Sequence, residues 1–403
     1  MTTVEHLPPF RWVIVGAAAL ILAMSMGAIV NGMSAYVVPL EELHGWDRAD
    51  ISLINVSGIV GMAFGGLIMG AMADKFGTRT VVLMGSIVMG LAYLTSAAAS
   101  QLWQYYMLMF IAGLFGGAAI FAPVMSLVGK WFPVGAGLAI GIASAGQALG
   151  QGGVPFGSAL LIKSFGVSGA LAITGGLMLV VLIPLAALLR PIELGYSAQV
   201  SAAQSRDYPP IKLVVPMMCL AIFLCCTSMS VPLMHLVPHI QGCGYSADEA
   251  GSVIFLMLMV GIVGRIAFGK LADIIGSIPA YMTATAWMTL LVYGFILIND
   301  LSSFYLYAPI YGFGYAGVMT GVLTTTAAYT PPERRGFALG VITMFGWFGH
   351  ANGGYLGGYL YDMTADYAVA YGMAALAGAL NLVVVAILFW MIKGSGEAEA
   401  ASA

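Results

Sequence analysis

Gly70-Ala71-Met72-Ala73-Asp74-Lys75-Phe76-Gly77-Thr78-Arg79 has a second copy in the chain, Gly269-Lys270-Leu271-Ala272-Asp273-Ile274-Ile275-Gly276-Ser277. Asp74 and Asp273 lie 199 residues apart, as do Gly77 and Gly276. Gly137-Leu138-Ala139-Ile140-Gly141 and Gly336-Phe337-Ala338-Leu339-Gly340 repeat the same offset of 199. Two independent pairs at one spacing predict two halves of like design, such as many membrane proteins are built from.

The composition around the repeat fits a membrane. Of 403 residues, 61% are apolar and only 8% charged, with a mean hydropathy of +0.96. A soluble globular protein carries about 25% charged residues, so this surface cannot face water. The 53 glycines suit closely packed membrane helices. A net charge of −3 with no basic stripe argues against nucleic acid as a partner. Cys219, Cys225, Cys226 and Cys243 form neither a disulfide framework nor a metal-ligand spacing, so no metal and no cofactor are expected.

A spanning helix needs about 20 apolar residues. Cutting at charged and turn-rich clusters yields twelve such stretches: roughly 11–39, 50–72, 79–99, 102–128, 134–162, 167–189, 211–240, 248–270, 279–299, 302–328, 336–361 and 367–392. The first is too long for a signal-peptide core and no small-residue cleavage site follows it, so it reads as retained. With the N-terminus cytoplasmic, Arg11, Lys75, Arg79, Lys130, Arg190, Arg206, Lys212, Lys270, Arg334, Arg335 and Lys393 fall inside. Only Arg48 and Lys163 fall outside, and Arg265 lies within a span. This bias supports an even number of spans with both termini cytoplasmic. The expected organisation is a six-helix half at 1–190, a polar cytoplasmic linker at 191–210, a second half at 211–393 and a disordered tail at 394–403.

Twelve spans in two halves, with this motif, resemble a major facilitator superfamily transporter. That family carries G-x-x-x-D-R/K-x-G-x-R between helices 2 and 3 and a degenerate copy between helices 8 and 9. Gly70, Asp74, Lys75, Gly77 and Arg79 fill the first; Gly269, Asp273 and Gly276 fill the second, which lacks the basic residues after its Asp. The resemblance covers the whole chain and implies an all-α membrane protein that moves a solute by alternating access.

Four segments look like the bacterial branch of the monocarboxylate-porter group. They are Val38-Pro39-Leu40-Glu41-Glu42 with Gly45-Trp46-Asp47-Arg48-Ala49, then Lys130-Trp131-Phe132 leading to Gly141-Ile142-Ala143-Ser144-Ala145-Gly146-Gln147, then Val231 to His239, and Arg265 before Phe268-Gly269. That group moves small monocarboxylates such as lactate or pyruvate, usually with a proton; oxalate–formate exchangers are close relatives. Two positions depart from animal-type members. Gly261 stands where they carry an acid one turn before the arginine, and Gly32 stands near their helix 1 lysine. A coupling scheme built on those side chains does not carry over.

Arg265 is the most informative residue. A charge at the centre of a span costs about 2.5–3.5 kcal/mol on insertion scales, and the seventeen acidic residues all fall at loops, span ends or tails. Arg265 either snorkels or caps carbonyls, or it holds a substrate carboxylate in its planar fork. His350, some fourteen residues into helix 11, is a candidate for substrate contact or for the coupled proton, with an interhelical hydrogen bond as the plainer reading. His235, one turn before the interfacial His239, is a second proton candidate. Asn31 and Tyr36 on helix 1, Gln147 and Gln151 four apart on helix 5, and Tyr311 and Tyr315 four apart on helix 10 are further substrate-site candidates. Each can serve instead as a hydrogen-bond partner between helices.

Gly70, Asp74, Lys75, Gly77, Arg79 and Asp273 sit at helix ends in loops too short for a pocket. The expectation there is a charge relay that stabilises one conformational state. Gly61/Gly65, Gly66/Gly70, Gly146/Gly150 and Gly353/Gly357 are small-x-x-x-small pairs that let helices approach. No Gly-Lys-Ser/Thr follows any of them, which excludes an ATP-driven pump on this chain. An intramembrane enzyme is disfavoured: there is no H-E-x-x-H, no Asp in the interior of a span, and Ser144 lacks the first glycine of G-x-S-x-G. A flux-free sensor would carry a signalling domain, and the tails are short. The expected partners are a small carboxylate, a proton or counter-anion, and the lipid bilayer. The expected setting is a bacterial inner membrane, with a monomeric protein. A dicarboxylate, an aromatic acid or a drug are rival substrates; a dicarboxylate would want a second cation, and the span interiors offer only histidines.

Overall fold

The computed structural model describes residues 9–132, 135–191 and 208–402. Among these residues there is no strand, and twelve helices follow one another. They are α1 (Phe10–His44), α2 (Arg48–Phe76), α3 (Thr78–Ser96), α4 (Leu102–Trp131), α5 (136–165) and α6 (167–188). The second set is α7 (Ile211–Gly242), α8 (Ala247–Ile275), α9 (Ser277–Leu297), α10 (Leu301–Tyr329), α11 (Arg335–Thr364) and α12 (Ala368–Ser402).

Nine stretches among the described residues are long and apolar enough to cross a membrane by length and composition. One of them, Ala136–Leu188, holds both α5 and α6, divided at Gly166, whose φ of 69° interrupts the helix. α10 and α11 fall outside the nine because threonine, tyrosine and glycine dilute their apolarity.

The repeat extends to backbone conformation. Gly77 (φ 86°) and Gly276 (φ 94°) are the single residues joining α2 to α3 and α8 to α9. Gly45 (φ 70°) and Gly244 (φ 95°), also 199 apart, follow the ends of α1 and α7. A side chain at such a φ would be strained, so glycine marks the same joint twice. Helix starts are capped locally. Ser246 and Glu249 form a reciprocal box at α8, with Ser246 N–H donating to Glu249 Oε2 at 2.9 Å. Asp300 caps α10, and hydrogen bonds from the Ser303 side chain and backbone N–H hold its carboxyl below the usual carboxylate range.

The chain forms two compact units, one of residues 1–206 with 332–340 and one of 207–331 with 341–403. In the first, α1 packs on α5, α2 on α4 and α3 on α6. In the second, α7 packs on α11, α8 on α10 and α9 on α12, the same pairings six helices later. Glycine makes these seams. A Cβ on Gly146 or Gly150 would meet the backbone of Ala19 or Ala23, and one on Gly61 or Gly65 the carbonyl of Phe110 or Leu114. On α11, a Cβ on Gly353 would meet the Thr227 carbonyl, and one on Gly357 the His235 ring.

Two boundaries differ from expectation. Residues 332–340 belong to the first unit, because Gly336 and Gly340 lie on the backbones of Gly70 and Gly66. α12 runs to Ser402, through residues for which a disordered tail is expected; Glu397-Ala398-Glu399-Ala400-Ala401 is made of strong helix formers. Most of the expected linker at 191–210, Arg206 included, lies outside the described residues.

Candidate functional site

Gly261 and Gly264 bring α8 close to α10; a Cβ on Gly264 would meet the carbonyl of Phe313. That approach places Arg265, 6% exposed, beside Tyr315, which is buried and within electrostatic reach of the guanidinium. Tyr311, one turn earlier, is buried against Phe295, ring centroids 5.1 Å apart, and lies 5.7 Å from the Tyr315 ring. Its hydroxyl has no hydrogen-bond partner among the described residues. The pair therefore divides: Tyr315 faces the charge, while Tyr311 joins the aromatic interior with Phe295 and Tyr371.

His350 is half-buried on α11, with its ring 6.2 Å from Trp347. The Cys226 thiol of α7 lies within interaction range of the imidazole. It reaches α11 because Gly346 leaves the space, the Cys226 sulfur lying 3.5 Å from where a Gly346 Cβ would be. Asn352 Nδ2 donates to Thr227 Oγ1 at 3.2 Å and fixes the register of this seam. His235 is held differently. Its Nε2 lies 2.9 Å from the Gly354 carbonyl and so donates to it, and its ring is 5.5 Å from Tyr367.

In the first unit, α1 is irregular where its candidates sit. Gly27–Asn31 is a π turn and Gly32–Tyr36 is a 3-10 turn. An irregular turn frees carbonyls that lipid cannot satisfy, so side chains must. Tyr93 donates its hydroxyl to Ala28 O at 2.9 Å, Asn55 Nδ2 donates to Val30 O at 2.7 Å, and Asn31 Nδ2 donates to Gln151 O at 3.2 Å. Asn31 and Gln151 are thus together. Gln147 is buried one turn away, and Tyr36 is buried near Ser158 and Thr174, its hydroxyl without a hydrogen-bond partner among the described residues.

The motif residues separate by burial. Asp74 Oδ2 accepts from the Phe337 N–H at 2.9 Å and Oδ1 from the Gly336 N–H at 3.3 Å, while Lys130 Nζ lies 3.5 Å from Oδ1. Asp74 therefore caps the start of α11, whose unpaired N–H groups and dipole favour an anion. Lys75, Arg79 and Asp273 are exposed. Asp74→Ala is expected to cost about 0.5–2 kcal/mol, the usual loss of a helix cap, read as a lowered melting midpoint of the detergent-purified protein. An unchanged midpoint would show that the cap contributes nothing.

Several functional-looking residues escape the sequence reading. Asn55, Cys226 and Arg335 gain their meaning from distant partners; Arg335 is 2% exposed although it borders a loop. Asn381 is fully buried on α12 and accepts from the Tyr281 hydroxyl at 3.1 Å. Its signal is a lone asparagine in Ala379-Leu380-Asn381-Leu382-Val383. Among the described residues, no group of three or more His, Cys, Asp or Glu is placed to hold a metal ion.

The profile of the family described as Major Facilitator Superfamily matches residues 15–308 and again 217–402. The chain is 26% identical over 401 residues to a rat protein named monocarboxylate transporter 13, covering 95% of this chain and 90% of the relative. It is 24% identical over 426 residues to human monocarboxylate transporter 2, covering 97% and 87%. The crystal structure of the human organic anion transporter MFSD10 superposes with a TM-score of 0.76 at 16% identity, covering 94% of this chain and all of that one. At that identity the likeness is one of fold.

Proposed function

This chain belongs to the Major Facilitator Superfamily, and from that premise we propose that it is a secondary transporter of a small monocarboxylate of the lactate and pyruvate class. It works by alternating access with proton coupling, and it is not an enzyme. It lies in a bacterial inner membrane, as a monomer, with both termini cytoplasmic. The observation that carries this reading is Arg265, a guanidinium buried in the apolar interior of the second unit with Tyr315 at its side. A guanidinium there binds one carboxylate through two parallel N–H donors. The names of the rat and human relatives support the substrate class.

The proton falls to His350, whose imidazole stands against the Cys226 thiol. His350→Gln is expected to leave carboxylate binding intact and to abolish the response of uptake to an imposed pH gradient. The comparison is made in proteoliposomes with and without the gradient. A variant that still follows the gradient removes His350 from the mechanism.

A second reading, exchange of one anion for another, is favoured by the packing at the two departing positions. An acid at 261 would meet Ala316 of α10, 3.1 Å from the Cβ position, and a lysine at 32 would meet the Tyr93 hydroxyl at 3.2 Å. A side chain one turn before Arg265 requires Ala316 of α10 to give by a few tenths of an ångström.

The deciding experiment is thermal stabilisation of the purified protein by lactate, pyruvate, formate, oxalate, succinate, an aromatic acid and uncharged analogues. The reading requires that one monocarboxylate raises the midpoint. Stabilisation by neutral compounds alone refutes it, and stabilisation by oxalate with formate favours exchange.

A further inference from the structure

Arg11 and Arg190 lie at one end of the first unit, where α1 begins and α4 and α6 end. The Arg11 guanidinium stands 5.1 Å over the Phe132 ring and 5.9 Å from that of Trp12. The Arg190 guanidinium stands 4.7 Å over the Phe10 ring. The rings support one another: Trp12 meets Phe132 edge-on at 5.0 Å, and Phe10 lies 6.3 Å from Trp131. Trp131 Nε1 donates to the Arg190 carbonyl at 3.1 Å, tying the end of α6 to the end of α4. The rings are therefore a fixed floor, since Trp131 and Phe132 are themselves buried.

Stacking uses the face of a guanidinium and leaves its N–H donors pointing outward in the plane. Neither arginine makes an ion pair among the described residues. Two oriented cations with no ion pair among the described residues call for an anion with several acceptor oxygens. The surroundings say where that anion comes from. Trp12, Val13 and Leu20, 43%, 44% and 54% exposed, line the outward face of α1 beside the pair. A dissolved anion would find no use for that apolar surface, whereas an acyl chain lies against it.

We propose that Arg11 and Arg190 form a binding site for the phosphate headgroup of an anionic phospholipid, with Trp12 and the outward face of α1 receiving its chain. The site is separate from the carboxylate site and does not depend on that reading.

The test is the melting midpoint of the full-length protein in neutral detergent, titrated with phosphatidylglycerol, phosphatidylcholine or inorganic phosphate. Phosphatidylglycerol is expected to raise the midpoint of the wild type in proportion to the logarithm of its concentration. The rise should vanish in Arg11→Gln/Arg190→Gln and persist in Lys163→Gln, which removes an exposed charge elsewhere. Arg190 is exposed, so Arg190→Gln alone remains testable if the double variant does not fold, and it should weaken the rise. Four results overturn the proposal. They are no rise in the wild type, an equal rise with phosphatidylcholine, an equal rise with inorganic phosphate, and a rise undiminished in either arginine variant.

Discussion

Arg265→Gln is expected to lower monocarboxylate uptake by a factor on the order of 10² to 10³ and to erase thermal stabilisation by the same acid. The magnitude follows from the environment. Arg265 is 6% exposed in the interior of the second unit, and truncating one partner of a buried, hydrogen-bonded charge pair costs about 2–5 kcal/mol. Each 1.4 kcal/mol is roughly a tenfold change in affinity. Arg265→Lys should fall between wild type and Gln, since it keeps the charge and loses the planar fork. The melting midpoint without ligand separates binding from folding. A structural arginine predicts a lower unliganded midpoint with full ligand stabilisation; a binding arginine predicts the reverse. Unchanged uptake in Arg265→Gln would remove the observation on which the proposed function stands.

Gly150→Leu is expected to have the largest effect on folding. A Cβ on Gly150 would lie 1.8 Å from the carbonyl oxygen of Ala23, and one on Gly146, a turn earlier, 2.2 Å from that of Ala19. No rotamer relieves a clash between a Cβ and a backbone carbonyl, so α1 and α5 must separate along their seam. Overpacking costs about 1–3 kcal/mol even where only side chains have to move. Separation here also disturbs the Asn31 to Gln151 hydrogen bond one turn away. The expected result is loss of monodisperse protein in detergent, or a midpoint lowered well beyond that of any surface variant. Gly153→Ala supplies the control. Nothing lies within 4 Å of its Cβ position, so it should be neutral or gain the few tenths to about 1 kcal/mol that alanine holds over glycine in a helix. Equal midpoints for Gly150→Leu and Gly153→Ala would show that the seam is not close-packed.

Contacts between segments remote in the chain leave no local mark on either segment. Asp74 and the Phe337 N–H are 263 residues apart, and nothing local to either announces the other. The motif around Asp74 is legible as a motif, and its exposed members Lys75 and Arg79 are legible as charges at a helix end. That Asp74 alone turns inward to cap α11 is a tertiary fact. The same holds for Arg335, which reads as one more basic loop residue and is in fact buried. Cys226 reads as an apolar filler of α7 until α11, thinned by Gly346, brings His350 to it.

The sequence alone determined the helices, the repeat, the glycine seams and the presence of Arg265 within an apolar span. The physical reason is the bilayer. A segment in lipid must satisfy its backbone within itself, so length and apolarity are enough to mark a helix, and a charge or a glycine pair stands out against so uniform a background. Only the tertiary structure decided which polar groups meet: Tyr93, Asn55 and Asn31 at the irregular turns of α1, the division of Tyr311 from Tyr315, and the allegiance of residues 332–340 to the first unit. Those are matters of packing between segments remote in the chain, and hydropathy, being a property of each segment by itself, carries no record of its neighbours.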